Sequence, residues 1–400
     1  MQVKDIKATK ILNSRKEETI EITVNGLYKG SAPGGASIGK HEVRAFPKIG
    51  IPLNFVNVIL NKKLNGMKLE SFNDLKAVEN VIQEFDRTKN LSRIGGDIII
   101  ALEYALLQTM SYGKLWEFLN PKAKKMPIPL GNVVGGGVHF YGEKFKGEKP
   151  DIQEFLILPK TKRFTEAMFA NNHVYSLVSE KLKTNRKTDE SALCPNLSNL
   201  EILDILRNIL DKVERELGFK VELGLDMAAS QIFDGIGYKY KKFSKDVKEK
   251  LLTRESQIIF VDQLIKKYNL FYVEDPLNEE DFLGYFELKR ESALICGDDL
   301  IATNLDRLKK AAKYISAVII KPNQVGSLIK TKEVIDFAKS HNIKTVISHR
   351  SGETMDKTIS HLAVAWQVPF VKFGIHGKER LAKLYELKKI EREISLSTSS

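Results

Sequence analysis

Cysteine is nearly absent: Cys194 and Cys296 are the two in 400 residues. That excludes a disulfide framework and fits a reducing compartment, so a cytoplasmic location is expected. Long apolar runs are missing as well. Nothing approaches the roughly 18 residues a membrane helix needs, and the start, MQVKDIKATK, has no apolar signal-peptide core. Acidic residues are in deficit, 51 against 63 lysines and arginines, which leaves a net charge of +12 and a pI near 9.3. Such a balance permits attraction to nucleic acid, anionic membranes or a small anionic substrate, without choosing among them. The densest basic stretch, KYKKFSKDVKEK at 239–250, interleaves Tyr240 and Phe243 with lysines as a single-strand binder would. Asp246 and Glu249 interrupt it, so a solvated helix face is expected, and nucleic acid is not an expected partner.

What is present describes a globular chain. Hydrophobic residues make up 42% and charged residues 28%, with enough length for two domains; only the final SLSTSS reads as disordered. TIEITVNGLYKGSAP alternates with period two around Asn25-Gly26, and both residues tolerate the positive φ of a tight primed turn, so a hairpin is predicted. Helical periodicity follows around 74–86 and 97–111. The basic, proline-containing NPKAKKMPIP reads as a linker near 120–128. We expect an N-terminal α+β domain over 1–125 and a second domain over 126–400.

In the second domain short apolar runs alternate with helical segments: DIQEFLILP, VELGLDMAAS, LFYVEDPL, ALICGDDL, AVIIKPNQ, KTVISHRSG and FVKFGI. This alternation implies a parallel sheet, and so many repeats suggest a closed (β/α) barrel. Polar residues end the runs. Asp226, Glu274, Asp298, Lys321, His349 and Lys372 stand at or just past the apolar residues, 48, 24, 23, 28 and 23 positions apart. A strand-plus-helix unit takes about that many residues, which brings these side chains to one rim, the C-terminal face where barrel enzymes keep their sites. A polar residue at one strand end usually marks a loop. Six such ends, carrying three acids, two lysines and a histidine, point to a site. Asp226, Glu274 and Asp298 would repel one another without a cation between them, and all-oxygen ligands select a hard ion such as Mg²⁺. Asp275, beside Glu274, is expected to orient its neighbours.

At these residues the chain resembles the enolases, from ILNSR near the start to ERLAKLYELKKIE near the end, with GDDLIATN, IKPNQVGSL and SHRSGET as the most specific strings. The resemblance implies a modified (β/α)8 barrel, its first strands departing from regular alternation, behind a smaller α+β domain. It implies dehydration of 2-phosphoglycerate to phosphoenolpyruvate with two Mg²⁺, the second arriving with substrate. It assigns Asp226, Glu274 and Asp298 to the first ion and Ser37, in the glycine-rich loop PGGASIG at 33–39, to the second. Lys321 matches the base that takes the C2 proton, and its pKa is expected to be lowered by metal charge and Lys372. Glu190 matches the acid that releases the C3 hydroxyl. Glu154 and His349 match further active-site positions, Arg350 and Ser351 the phosphate contacts, and His139, Gln153 and Lys372 other substrate contacts.

The chain also departs from the family pattern. Lys16-Glu17-Glu18 replaces a Gly-Asn-Pro turn, Met355 replaces an acid and Gln231 a glutamate. The stretch between His139 and Gln153 is longer and more basic than usual, and Thr188, Ser191 and Ala192 replace glycines around Asp189 and Glu190. Family assembly implies a homodimer or larger oligomer, with Glu21 and Lys389 at the positions of a glutamate–arginine pair between subunits. Two alternatives are a catalytically weakened paralogue that binds a phosphorylated ligand or anionic polymer, and a superfamily member that deprotonates another carboxylate.

Overall fold

The computed structural model describes residues 1–35, 39–139, 148–288 and 293–397. Three antiparallel strands, β1 (Ile6–Leu12), β2 (Glu18–Val24) and β3 (Tyr28–Ser31), open the chain in that spatial order. Asn25 and Gly26 take φ of 54° and 65°, the turn that the alternation predicts. Ile6, Ala8, Ile20, Ile22 and Val24 face a helix, Gly96–Met110, that is apolar nearly all round and therefore buried. Gly30 permits that packing: a Cβ there would sit 2.3 Å from the carbonyl oxygen of Ala101. A second helix, Leu75–Gln83, also matches the predicted periodicity.

The barrel begins at β4 (Ile128–Pro129) and β5 (Gly131–Gly135), two halves of one bent segment. Next along the chain come β6 (Glu154–Pro159), β7 (Val221–Asp226), a small hairpin of β8 (Tyr238–Tyr240) and β9 (Lys250–Leu252), then β10 (Leu270–Glu274) and β11 (Leu294–Gly297). The last are β12 (Ala317–Ile320), β13 (Lys344–Ser348) and β14 (Phe370–Lys372). All seven apolar runs are strands. In space the order is β4-β14-β13-β12-β11-β10-β7-β6-β5. Because β4 pairs with β14 and β5 with β6, the bent segment closes the ring. β6 runs antiparallel to β7, with Glu154 opposite Asp226, whereas the pairs from β7 through β10 to β14 are parallel. This is the expected irregular start of a modified (β/α)8 barrel. No described helix is long and apolar enough to cross a membrane.

The basic stretch at 239–250 is a hairpin, not a helix face. Its side chains alternate: Tyr238 and Tyr240 are buried and Lys239 is exposed. Tyr240 donates to Gln257 at 3.0 Å, and Phe243 packs against Phe260 with ring centroids 4.8 Å apart, so the aromatics belong to the core while the charged residues reach water. Period-two alternation, outweighed in the sequence by charge density, decides the structure.

Glu103, on the Gly96–Met110 helix, is fully buried where that helix meets Leu328–Ser340. One of its oxygens accepts from the Leu328 amide at 2.8 Å, while Ser327 donates to neighbouring Glu79. Burial, and then the Glu79 charge, push the Glu103 carboxyl well above the ordinary carboxylate range. The folded state therefore keeps a proton that the unfolded chain releases, and stability falls as pH rises from the ordinary carboxylate value toward the raised one. Melting temperature should decline as pH rises above the ordinary carboxylate range, and Glu103→Gln, which keeps the acceptor and needs no proton, should flatten that decline. Thermal denaturation of both proteins across this range tests it; parallel curves would refute the assignment.

Candidate active site

The parallel strands place their ends where the spacing predicts. Asp226, Glu274 and Lys372 are the last residues of β7, β10 and β14, and Asp298, Lys321 and His349 directly follow β11, β12 and β13. Glu154 reaches the same rim from the first residue of β6, because that strand is reversed. One cavity gathers His139, Gln153, Glu154, Glu190, Asp226, Asp298, Lys321, His349, Arg350, Ser351 and Lys372. Glu274, with no exposed surface, lies beneath it, and Ser37 lies outside the described residues, as do residues 140–147 of the basic loop. Of the departures from the family pattern, neither Met355 nor Gln231 lines this cavity.

Lysine supplies the positive charge among the acids. Lys372 Nζ donates to Asp226 at 2.8 Å and to Glu274 at 2.9 Å, and lies 3.3 Å from Glu154. Burial opposes its charge, but Asp226, Glu154 and Glu274 outweigh burial and hold its pKa well above the usual lysine value. Lys321 donates to Asp298. Burial lowers its pKa, Asp298 raises it, and the net direction is upward, opposite to what a base requires. Asp275 behaves as expected: its carboxylate accepts from the Asp298 amide at 3.0 Å, the Asp299 amide at 2.6 Å and Tyr285 at 3.1 Å.

On the other side of the cavity, Glu190 lies 3.3 Å from both His139 Nδ1 and His349 Nε2, and Asn132 donates to it at 3.2 Å. Burial alone would neutralise Glu190, yet the two histidines outweigh it and hold the carboxyl well below its ordinary range. Burial likewise opposes charge on His139, but Glu190 and Asp189 raise it to about 9, while burial, partly offset by Glu190, lowers His349. The proton of this corner therefore rests on His139. Ser191 takes φ of 65°, the left-handed conformation in which a glycine would be unstrained, so the backbone course survives the loss of the flanking glycine. Arg15, from ILNSR, reaches across the domains to pair with Asp189.

Three residues outside the sequence-derived set complete the site. Glu42 grips both Arg350 Nη atoms, at 2.8 and 3.2 Å, in the bidentate geometry suited to guanidinium. Asn323 Oδ1 accepts from the same guanidinium at 3.1 Å. Glu353 takes the Arg350 amide at 2.9 Å and is itself held by buried Lys383 at 2.7 Å. The signal for Glu42 was its place in GKHE beside the glycine-rich loop; Asn323 and Glu353 lie inside the strings IKPNQVGSL and SHRSGET, which marked the site without giving them a role.

The donor set fits a hard divalent cation. Seven carboxylates line the cavity, Glu42, Glu154, Glu190, Asp226, Asp275, Asp298 and Asp299, against two lysines and one arginine. Their crowding appears as strain on ionisation: burial, then neighbouring charge, raises Glu154 to about 8 and Asp299 to about 7, and lifts Glu274 and Asp275 well above their usual range. A second group, His139, Glu154 and Glu190, has ligand atoms within 4.8 Å of one another, but its nitrogen donor suits a softer ion. Buried polar atoms without a hydrogen-bond partner include His139 Nδ1, Glu154 Oε2 and both His349 nitrogens, as expected where a polar ligand enters.

Comparison with known proteins agrees with this geometry. Residues 3–117 match the family model described as enolase, N-terminal domain, and residues 123–399 the model for the enolase C-terminal TIM barrel domain. The enolase of Methanosphaera stadtmanae is 39% identical over 98% of this chain and 97% of its own length. That of Methanothermobacter thermautotrophicus is 39% identical over 99% and 97%, and that of Archaeoglobus fulgidus 37% over 98% and 97%. With its two family domains in order, its barrel closed as the family's is and relatives of more than 30% identity along nearly its whole length, the chain belongs to the enolase family.

Proposed function

We propose that this cavity dehydrates 2-phosphoglycerate to phosphoenolpyruvate and water, the lyase reaction of the family. The observation that carries the reading is the convergence on one cavity of a lysine for C2, a second lysine for the carboxylate, an arginine for the phosphate and a carboxyl–imidazole pair for the leaving hydroxyl. A purely binding paralogue is not favoured, since it has no use for Lys321. Arg350 with its phosphate fork disfavours a different carboxylate substrate.

The family is magnesium-dependent, and Asp226, Glu274 and Asp298 would hold the first ion, with Ser37 serving a second. Bound magnesium supplies the positive charge that a carboxylate needs when a second negative charge develops beside it; enolase-type Mg²⁺ sites are an established example of this effect. Lys321 is the base. A cation held by Asp298 and Glu274 would offset the two charges that raise the Lys321 pKa, leaving burial, Arg350 and Lys372, which lower it. The C2–H bond then breaks toward Lys321 Nζ. Lys372 stays charged and orients the substrate carboxylate. Glu190 accepts the His139 proton and passes it to the C3 oxygen as the C–O bond breaks, releasing water. Gln153 and Glu154 hold that hydroxyl, His349 positions Glu190, and Arg350 with Ser351 holds the phosphate.

Glu21 and Lys389 line one cleft of about 530 Å³. Within the chain Glu21 accepts from Lys29 at 2.7 Å and Lys389 lies 3.5 Å from Glu386. Lys389 lacks an arginine's fork, so a subunit contact through these residues is a weak ion pair. The assembly we infer is a homodimer or larger, working in the cytoplasm.

Three outcomes follow. Glu190→Gln should keep exchange of the C2 hydrogen with solvent and lose phosphoenolpyruvate formation by about 10²-fold or more, whereas Lys321→Ala should lose both; hydrogen exchange followed by NMR beside an absorbance assay separates them. Chelator should abolish turnover and Mg²⁺ restore it, with Asp298→Ala unable to recover; full activity in chelator would end the metal assignment. Light scattering should give at least a dimer at micromolar concentration, dissociating as salt rises, and a monomer at low salt would contradict the assembly.

A further inference from the structure

At the end of the barrel opposite the catalytic cavity, a cleft of about 1170 Å³ opens between the segment entering β4, the turn after β6 and the C-terminal half of the Lys378–Ser397 helix. Topology fixes its position. β4 runs parallel to β14, whose last residue is Lys372, and antiparallel β6 leaves the catalytic rim through Pro159. A strand of this length separates the two ends by roughly 20 Å.

Six cations line the cleft: Lys124, Lys125, Lys162, Arg163, Lys388 and Arg392. Its one acid, Glu391, does not balance them, because it accepts from the Phe164 and Thr165 amides at 2.6 and 3.0 Å and so caps the Phe164–Leu182 helix. Arg163 pairs with Glu166 at 3.2 Å. The other five cations form no ion pair among the described residues, whereas Lys10, Lys29, Lys63 and Lys332 elsewhere on the surface each hold a carboxylate. Between the charges lies an aliphatic floor of Met126, Ile128, Ile394 and Leu396, the last 73% exposed.

The floor decides between polyanions. No aromatic ring lines the cleft, so bases have no stacking platform, and a phosphate backbone would leave the aliphatic surface unused. A bilayer is flat and cannot follow a concave wall. We propose that this cleft docks an acidic amphipathic segment of a partner protein, its aliphatic side chains on the floor and its carboxylates against the lysine and arginine rim.

The test uses the full-length protein and a fluorescein-labelled synthetic helix of glutamate and leucine, read by anisotropy. Controls are a polyglutamate peptide of equal charge, poly(U), and phosphatidylserine vesicles. Lys124→Glu/Lys388→Glu should weaken peptide binding at least ~10-fold while phosphoenolpyruvate formation stays within about twofold, and Lys62→Glu/Lys76→Glu, the same charge change on the other domain, should weaken it by less than about twofold. Lys125→Gln/Arg392→Gln gives a milder variant should charge reversal disturb folding. The proposal is overturned if both double reversals act alike, if polyglutamate binds as tightly as the amphipathic peptide, or if poly(U) or vesicles rather than the peptide depend on Lys124 and Lys388.

Discussion

A single ammonium group organises the catalytic end. Lys372 Nζ, itself on β14, is in contact with carboxylates from β7, β10 and β6, three strands that would otherwise present like charges to one another without solvent. A buried charge without partners costs several kcal/mol, so the lysine and its acids hold one another in place. That arrangement requires a closed barrel. An open sheet would leave β14 and β7 on distant edges; bending the 128–135 segment between β14 and β6 brings Lys372 across the mouth to Asp226.

The phosphate arm depends on a wider frame. Arg350 is gripped by Glu42 from the N-terminal domain, its amide is fixed by Glu353, and Arg380 of the last helix donates to the Ser351 carbonyl at 2.9 Å. Gly34 and Gly352 exchange backbone hydrogen bonds at 2.7 and 2.8 Å, and Ser14 donates its amide to the Glu353 carbonyl at 2.8 Å. Three distant parts of the chain thus set one guanidinium, which ties the two domains together at the proposed phosphate contact.

Much of this was legible in the sequence, for a physical reason. The barrel strands are short, apolar and bounded by polar residues, so their ends, and with them Asp226, Glu274, Asp298, Lys321, His349 and Lys372, can be counted along the chain. Asn25-Gly26 announced its own turn. What stayed hidden depends on contacts far apart in sequence. Glu42 is 308 residues from Arg350, and its place beside the glycine-rich loop does not say which cation it meets. The 239–250 hairpin was masked because its lysines outnumber the two aromatics that anchor it. The charge state of the Glu190 corner was also illegible, since it depends on two histidines brought in from other loops.

The cavity's side chains stand on two kinds of backbone, the parallel strand ends and the connection that carries Glu190. Asp226, Glu274, Asp298 and Lys321 are fastened to the ends of the parallel strands, where moving one Cα disturbs a ladder of backbone hydrogen bonds on both sides. Glu190 rides instead on the return path between the helices Phe164–Leu182 and Asn199–Leu217, tied to the barrel by short bridges such as Val134 to Leu193. The strand-end set and Glu190 thus stand on different kinds of backbone, joined where Asn132 of β5 and His349 after β13 reach Glu190. Thr188, Ser191 and Ala192 lie in that loop, beside Asp189 and Glu190, whereas every acid and lysine of the strand-end set is held on the ladder.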